Sequence, residues 1–247
     1  MLAIGTRFFG VDPENDLPRL GRFIQAASHL GKVFVAINGE EDKTNALEFV
    51  KKYGADLGVE GFYVTPWGKF VPALNALVYK ASIGGAKYLL LASVEFPPQE
   101  KWVRALLKYA DDTTLAVGVR FVEHEFQNEG GIVSGNGFNI PWNTFALWNL
   151  SFLSKVGFIL VGDAPFDPSM AGVEELSTMA LFQKIFPPSE VKLVDIIDFP
   201  REWNVEGWSE ARKAQHLEKM TSKKTRGAAQ LRWLGLPPPI VHHIKDH

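Results

Sequence analysis

Short apolar runs alternate with longer amphipathic stretches along the first two thirds of the chain. Residues 2–6 (LAIGT) read as a strand, and Leu17, Leu20, Ile24 and Ala27 then recur at helical spacing. Asn15 or Asp16 is expected to cap that helix, with Pro18 in its first turn. Residues 32–37 (KVFVAI) form a continuous apolar run of the kind buried on both faces of a parallel sheet. A helix over 45–53 closed by Gly54 follows, then a strand over 62–64 and a helix over 69–82. A strand over 88–92 (YLLLA) and a helix containing 102–109 complete this part. The alternation predicts right-handed βαβ units. Strands at about 2–6, 33–37, 60–64 and 87–92 are expected as parallel neighbours in the order 3-2-1-4.

The rhythm changes after a strand over 114–121 (TLAVGVRF). Residues 127–137, rich in Gly and Asn, read as a loop, and the apolar, aromatic stretch 142–156 as a helix against the sheet. A helix over 173–185 and a strand over 191–197 come next. Residues 208–234 carry a helical, basic pattern that Pro237, Pro238 and Pro239 stop. The expected organisation is one α/β domain over 1–200 and a C-terminal helical extension over 201–247.

Composition narrows the function. The 247 residues are 46% hydrophobic and 22% charged, enough to bury a sizeable core. A net charge of -2 gives no reason to expect nucleic acid or an anionic membrane as partner. With no cysteine there is no disulfide, thiolate nucleophile or cysteine-ligated zinc. No apolar run is long enough to span a bilayer, and Arg7 interrupts the first one, unlike a signal peptide; a cytoplasmic location is expected. Neither G-x-G-x-x-G, a P-loop nor G-x-S-x-G occurs where its chemistry needs it. His242 and His243 read as a surface tail.

One segment resembles a known pattern. Gly68-Lys69-Phe70-Val71-Pro72-Ala73-Leu74-Asn75 looks like the G-K-x-x-A-L-N segment of family 2 glycosyltransferases, which have the GT-A fold. A glycine lets the backbone turn closely, while a lysine at a helix N-terminus offers positive charge to a diphosphate. An ordinary amphipathic helix with a surface lysine has the same pattern. Asn38, Gly39, Asp42 and Thr44 match the family's D-N-G-S-x-D-x-T loop beside the nucleotide base, with Ile37 replacing its leading acid. The stretch 142–158 resembles the segment that shapes the acceptor side. Gly172-Val173-Glu174-Glu175-Leu176 resembles the G-x-E-D-x-x-L helix start. Together these cover residues 2–197.

The resemblance implies a GT-A-like, mostly parallel sheet flanked by helices. It also implies transfer, in the inverting manner, from a nucleoside-diphosphate sugar to an acceptor that the sequence does not identify. Glu175 would be the general base, with Glu174 beside it; both also suit plain first-turn helix acids. Thr6, Arg7, Asn38, Asp42, Gly68, Lys69, Asn75 and Ser93 would contact the donor, with Thr6, Asn38 and residues 93–95 lining one cleft. The family's Asp-x-Asp, which holds Mg2+ or Mn2+, is degenerate. One register places Ala92 and Val94 there, the other Ser93 and Glu95. Only Glu95 is an anionic ligand, His124 between Glu123 and Glu125 could add another, and any metal would bind weakly. Glu95 equally suits a loop acid and His124 a solvated strand end.

Two alternatives have different consequences. A catalytically inactive GT-A domain would bind a nucleotide, glycan or protein, as the altered metal motif suggests. A sugar nucleotidyltransferase would carry a Gly-rich loop with an arginine after the first strand, which residues 6–10 (TRFFG) match weakly. The basic segment from Trp208 suits packing over the cleft, a homo-oligomer contact, or a solvated helix pair.

Overall fold

The computed structural model describes residues 1–10, 12–40, 45–203, 208 and 210–246. Among these, one sheet holds strands β1 (Leu2–Phe8), β2 (Lys32–Asn38), β3 (Val59–Val64), β4 (Tyr88–Ala92), β5 (Thr114–Val119), β6 (Gly131–Ser134), β7 (Phe145–Asn149), β8 (Glu190–Asp195) and β9 (Ile240–Lys245). Their order is β3-β2-β1-β4-β7-β5-β8-β9-β6. The expected 3-2-1-4 arrangement is present and parallel, with Ile4 opposite Val33 and Leu90. Helices α1 (Pro13–Ser28), α2 (Ala46–Gly54), α3 (Val71–Ile83) and α4 (Glu100–Lys108) connect these strands. Residues 33–38 of β2 are all buried, as a strand covered on both faces requires.

The later elements depart from the sequence pattern in instructive ways. Stretch 142–156 is not one helix: β7 runs antiparallel between β4 and β5, pairing Leu89 with Trp148, and only the short α5 (Leu150–Leu153) is helical. An apolar run buried on both faces has no alternation to separate it from a buried helix. The Gly-rich loop contains β6, which lies on the sheet edge against β9. Beyond the prolines the chain returns as β9, parallel to β8. His243 is thus buried, its Nδ1 accepting from the Gln127 amide at 2.9 Å, instead of lying in a surface tail.

Helix ends also shift. Asp12, not Asn15 or Asp16, caps α1 by accepting from the amides of Glu14 and Asn15, so Pro18 lies inside the helix. Gly54 remains helical, and the left-handed residue comes later, at Gly58. Helix α6 (Glu174–Ile185) lies where a helix was expected, and the basic segment forms α7 (Glu210–Thr221) and α8 (Lys223–Leu234).

The core continues from the sheet into an aromatic cluster beneath the C-terminal segment. Phe121 stacks on Trp142 and Trp203, and Phe96 meets Phe121, Phe199 and Trp203. Such rings bury large areas at little rotamer cost. Through Trp203 the cluster continues to Trp208 and to His216 of α7.

Candidate active site

Beyond the carboxyl ends of β1 and β4 opens a cavity of about 400 Å³. Ligands in open α/β sheets bind at this end of the strands. Its floor is Gly5, Arg7 and residues 91–95, one wall is the start of α6, and the C-terminal helices supply Lys219, Lys223 and Arg226. The basic segment therefore packs over the cleft. Trp67, Phe70, Trp203 and Trp208 add aromatic faces.

Glu174 and Glu175 form the acidic centre. Both lie in the first turn of α6 yet are only 4% and 6% exposed. Asn143 holds the pair: its amide donates to Glu175 Oε1 at 2.8 Å and its Nδ2 to Glu174 Oε1 at 3.0 Å. Asn143 Oδ1 is fixed in turn by Trp148 Nε1 at 2.9 Å. Burial, and then repulsion from Glu175, push the Glu174 carboxyl up to about 7, against the pull of Arg7 and Asn143. Val173, immediately before the pair, has φ of 63°, a conformation costly for a β-branched residue and common where a site is held under strain.

Opposite the acids stands Arg7. Its guanidinium lies 4.9 Å from the Phe70 ring and 5.4 Å from the Trp67 ring, and donates to the Lys69 carbonyl at 2.7 Å. Burial lowers its pKa while Glu174, Asp163 and Glu175 oppose that shift; an arginine stays charged regardless. Arg226 is buried too, and burial brings the Lys223 ammonium down to about 7.

The start of α3 carries a different chemistry from the one its sequence suggests. Asp163 accepts from the amides of Lys69, Phe70 and Val71 at 2.9, 2.7 and 2.8 Å. The anion at this helix N-terminus is thus the chain's own carboxylate. Gly68, at φ of 62°, makes the turn, and Gly162 lets the Asp163 turn sit directly on Glu174, where a Cβ would overlap the Glu174 Cβ. Lys69 is exposed, and its side chain does not line the cavity.

Other expected contacts are likewise used internally. Thr6 is buried and lies between Gly5 and Arg7, so strand alternation turns it away from the cavity they line. Asn38 accepts from the Glu40 amide at 3.0 Å, forming a turn at the end of β2. Asn75 clamps Phe158, accepting from its amide at 2.7 Å and donating to its carbonyl at 2.9 Å. Asp42 lies outside the described residues. Ser93 and Glu95 do line the cavity, the Ser93 hydroxyl donating to Glu95 Oε2.

The expected metal ligands do not assemble. His124 is buried, with Nδ1 accepting from the Phe121 amide at 2.8 Å and Nε2 2.9 Å from the Ile140 carbonyl, so neither nitrogen is left for a metal. Burial holds its pKa well below the ordinary range. Asp16, also at the cavity, accepts from the Asp12 amide at 3.1 Å. Among the described residues no group of three His, Asp or Glu is placed to hold a metal ion. The residues at the end of β4 do not fit a protein-held Mg2+ or Mn2+.

Asn143, Asp163, Lys223, Arg226 and Trp203 were not singled out from the sequence. Lys223 and Arg226 were visible there only as members of a basic segment. Asn143 and Asp163 belong to no pattern that spacing reveals.

No protein-family model matches the chain, and none of the curated proteins is similar to it in sequence. Its fold matches solved structures of glucosyl-3-phosphoglycerate synthase from Mycobacterium tuberculosis. With the complex holding phosphoglyceric acid the TM-score is 0.54 at 12% identity, over 96% of this chain and 80% of that one. With the complex holding Mn2+ and UDP-glucose it is 0.53 at 11% identity, over 96% and 79%. A mannosyltransferase from Pyrobaculum calidifontis, in complex with GDP-mannose and Mn2+, gives 0.47 at 15% identity over 64% of this chain. The chain spans about half the length of that mannosyltransferase, 47%. The protein has the GT-A fold of nucleotide-sugar glycosyltransferases. No helix among the described residues is long and apolar enough to cross a membrane.

Proposed function

We propose that the protein transfers a sugar from a nucleoside-diphosphate sugar to a hydroxyl acceptor. The observation that carries this reading is the Glu174–Glu175 pair, buried in a cavity at the carboxyl ends of the strands and oriented by Asn143. A carboxylate that takes up a proton near neutral pH is matched to general-base work. In the proposed reaction the acceptor oxygen attacks the anomeric carbon and the carbon–oxygen bond to the diphosphate breaks. The nucleoside diphosphate leaves with the electron pair, and the acceptor proton passes to a glutamate. Because the acceptor approaches the face opposite the leaving group, the outcome is inversion. Glu174, with its raised proton affinity, supports a direct role beside Glu175.

Burial also favours this reading over plain helix acids. Neither carboxylate is solvated, and among the described residues neither closes a salt bridge. Arg7 and the cations of α8 then face the charge that develops on the departing diphosphate. Residues 1–200 would carry the donor and the acids, and the segment beyond 200 would close the cavity.

The test is a donor panel of UDP-, GDP- and dTDP-sugars with and without Mn2+, read as nucleoside diphosphate released. Turnover should fall by about 10²- to 10⁴-fold in Glu175→Gln or Glu174→Gln, with donor binding kept. Nucleotide binding without turnover of any donor would favour the inactive-domain reading, for which the altered Asp-x-Asp is the motivating observation.

A further inference from the structure

Three cations reach the cavity without, among the described residues, a carboxylate in contact. Arg226 is 5% exposed, and its guanidinium is committed to the carbonyls of Ala171, at 2.6 Å, and Lys219, and to the Ser222 hydroxyl at 3.0 Å. Those groups occupy three of its five N–H donors, and its charge is offset only through space, by Glu175, Glu174 and Glu218. Arg7 Nε is buried and, among the described residues, has no hydrogen-bond partner. Lys223 Nζ sits 3.1 Å from the centroid of the Trp142 ring and, among the described residues, has no hydrogen-bond acceptor. Burying an ammonium without a counter-ion is costly, as its lowered proton affinity shows. Glu175 and Glu174 attract Lys223 and Arg226 only through space. A poorly solvated wall whose positive charge is offset only at a distance is a site for an anion.

The end of β4 presents the opposite deficit. Where a metal would need hard oxygen ligands, the chain offers the Ala92 methyl, the Val94 side chain and Glu95, whose Oε2 already accepts from Ser93. One cavity therefore combines a poor metal site with a set of fixed cations that, among the described residues, touch no carboxylate.

We propose that Lys223 of α8, supported by Arg226 and by Arg7 of β1, takes the place of the divalent cation, so that this protein holds a nucleoside diphosphate without a metal. The proposal rests on the nucleotide-sugar reading above. An ammonium can neutralise phosphoryl oxygens as a point charge, and the Trp142 face keeps Lys223 near the cavity in the free protein.

Calorimetry on the full chain tests it, with inorganic pyrophosphate, UDP, GDP and dTDP as probes, first in EDTA and then with Mn2+. Pyrophosphate and at least one nucleotide should bind in EDTA, and Mn2+ should change Kd by less than about threefold. Lys223→Met should weaken binding by about tenfold or more, the loss of one charge-assisted contact. Lys223→Arg should retain most of the affinity. Lys224→Met, on the exposed side and paired with Glu125, should leave it unchanged. Melting curves verify that each variant is folded. Nucleotide binding that requires Mn2+ would overturn the proposal and leave the nucleotide-sugar reading standing. So would unchanged affinity in a folded Lys223→Met protein. If no nucleotide binds in either condition, both fail, even if pyrophosphate still binds.

Discussion

Replacing Glu174 by Gln should make the protein more stable at alkaline pH while impairing its proposed chemistry. The folded chain keeps the Glu174 proton until about pH 7, whereas an ordinary glutamate loses it near 4.5. Between those values the folded state binds more protons than the unfolded state. Its stability therefore falls as pH rises through that window. Each tenfold change in proton affinity is worth about 1.4 kcal/mol, so the ionised side chain costs the fold up to about 3 kcal/mol at pH 8. Glutamine keeps the shape, can still accept from Asn143, and removes both the desolvated charge and its repulsion of Glu175. The gain should be about 2–3 kcal/mol at pH 8 and should vanish near pH 4.5. For a chain of this size that is a rise in Tm of about 4–12 °C. Urea unfolding of both proteins at pH 4.5, 6 and 8 reads the difference directly. A variant less stable than wild type at pH 8, or a gain independent of pH, would refute the burial-driven origin of the shift. A stability gain paired with lost transfer is the trade expected of a group retained for function.

Asp163→Ala removes the acceptor for three amides at the start of α3, and should cost about 2–4 kcal/mol in urea unfolding. If that helix start instead holds the donor diphosphate, the variant will bind nucleotide more tightly and lose little stability. Gly162→Ala drives a methyl into Glu174 and should cost about 1–3 kcal/mol, with a further loss of transfer as the acid is displaced. Lys223 is held near 7 mainly by burial, with Glu175, Glu174 and Glu123 raising its pKa and Arg226 lowering it. UDP or GDP binding in EDTA should therefore weaken as pH rises from 7.5 to 9, and Lys223→Met should reduce that dependence to the smaller part set by ionisation of Glu174. Buried His124 has a depressed pKa, so its share of stability is present above pH 6.5 and declines as pH falls below it. His124→Gln should show a shallower loss of stability than wild type between pH 6.5 and 5.

The sequence by itself determined the first half of the sheet. Apolar runs such as residues 33–37 and the helices between them leave a parallel 3-2-1-4 arrangement as the economical solution, because right-handed crossovers restrict the connections. Glu174 and Glu175 were marked in the sequence by their resemblance to the G-x-E-D-x-x-L helix start, since as a local pattern alone they suit ordinary first-turn acids. Tertiary structure decided what local patterns do not encode. Residues 145–149 became an antiparallel strand because β4 and β5 both offered them a free edge. The last strand entered the sheet because β8 did the same for residues 242–245. The amides of Lys69, Phe70 and Val71 found their anion 92 to 94 residues away, at Asp163, so the same helix start that suggests a phosphate site is already satisfied. His124 is a possible ligand in sequence and a double backbone clamp in the fold, because burial obliges both ring nitrogens to find partners. Lys223 and Arg226, two among many basic residues in sequence, acquired meaning only when α8 packed against the acids. Electrostatics at a site depends on which charges are buried together, and only the assembled chain sets that.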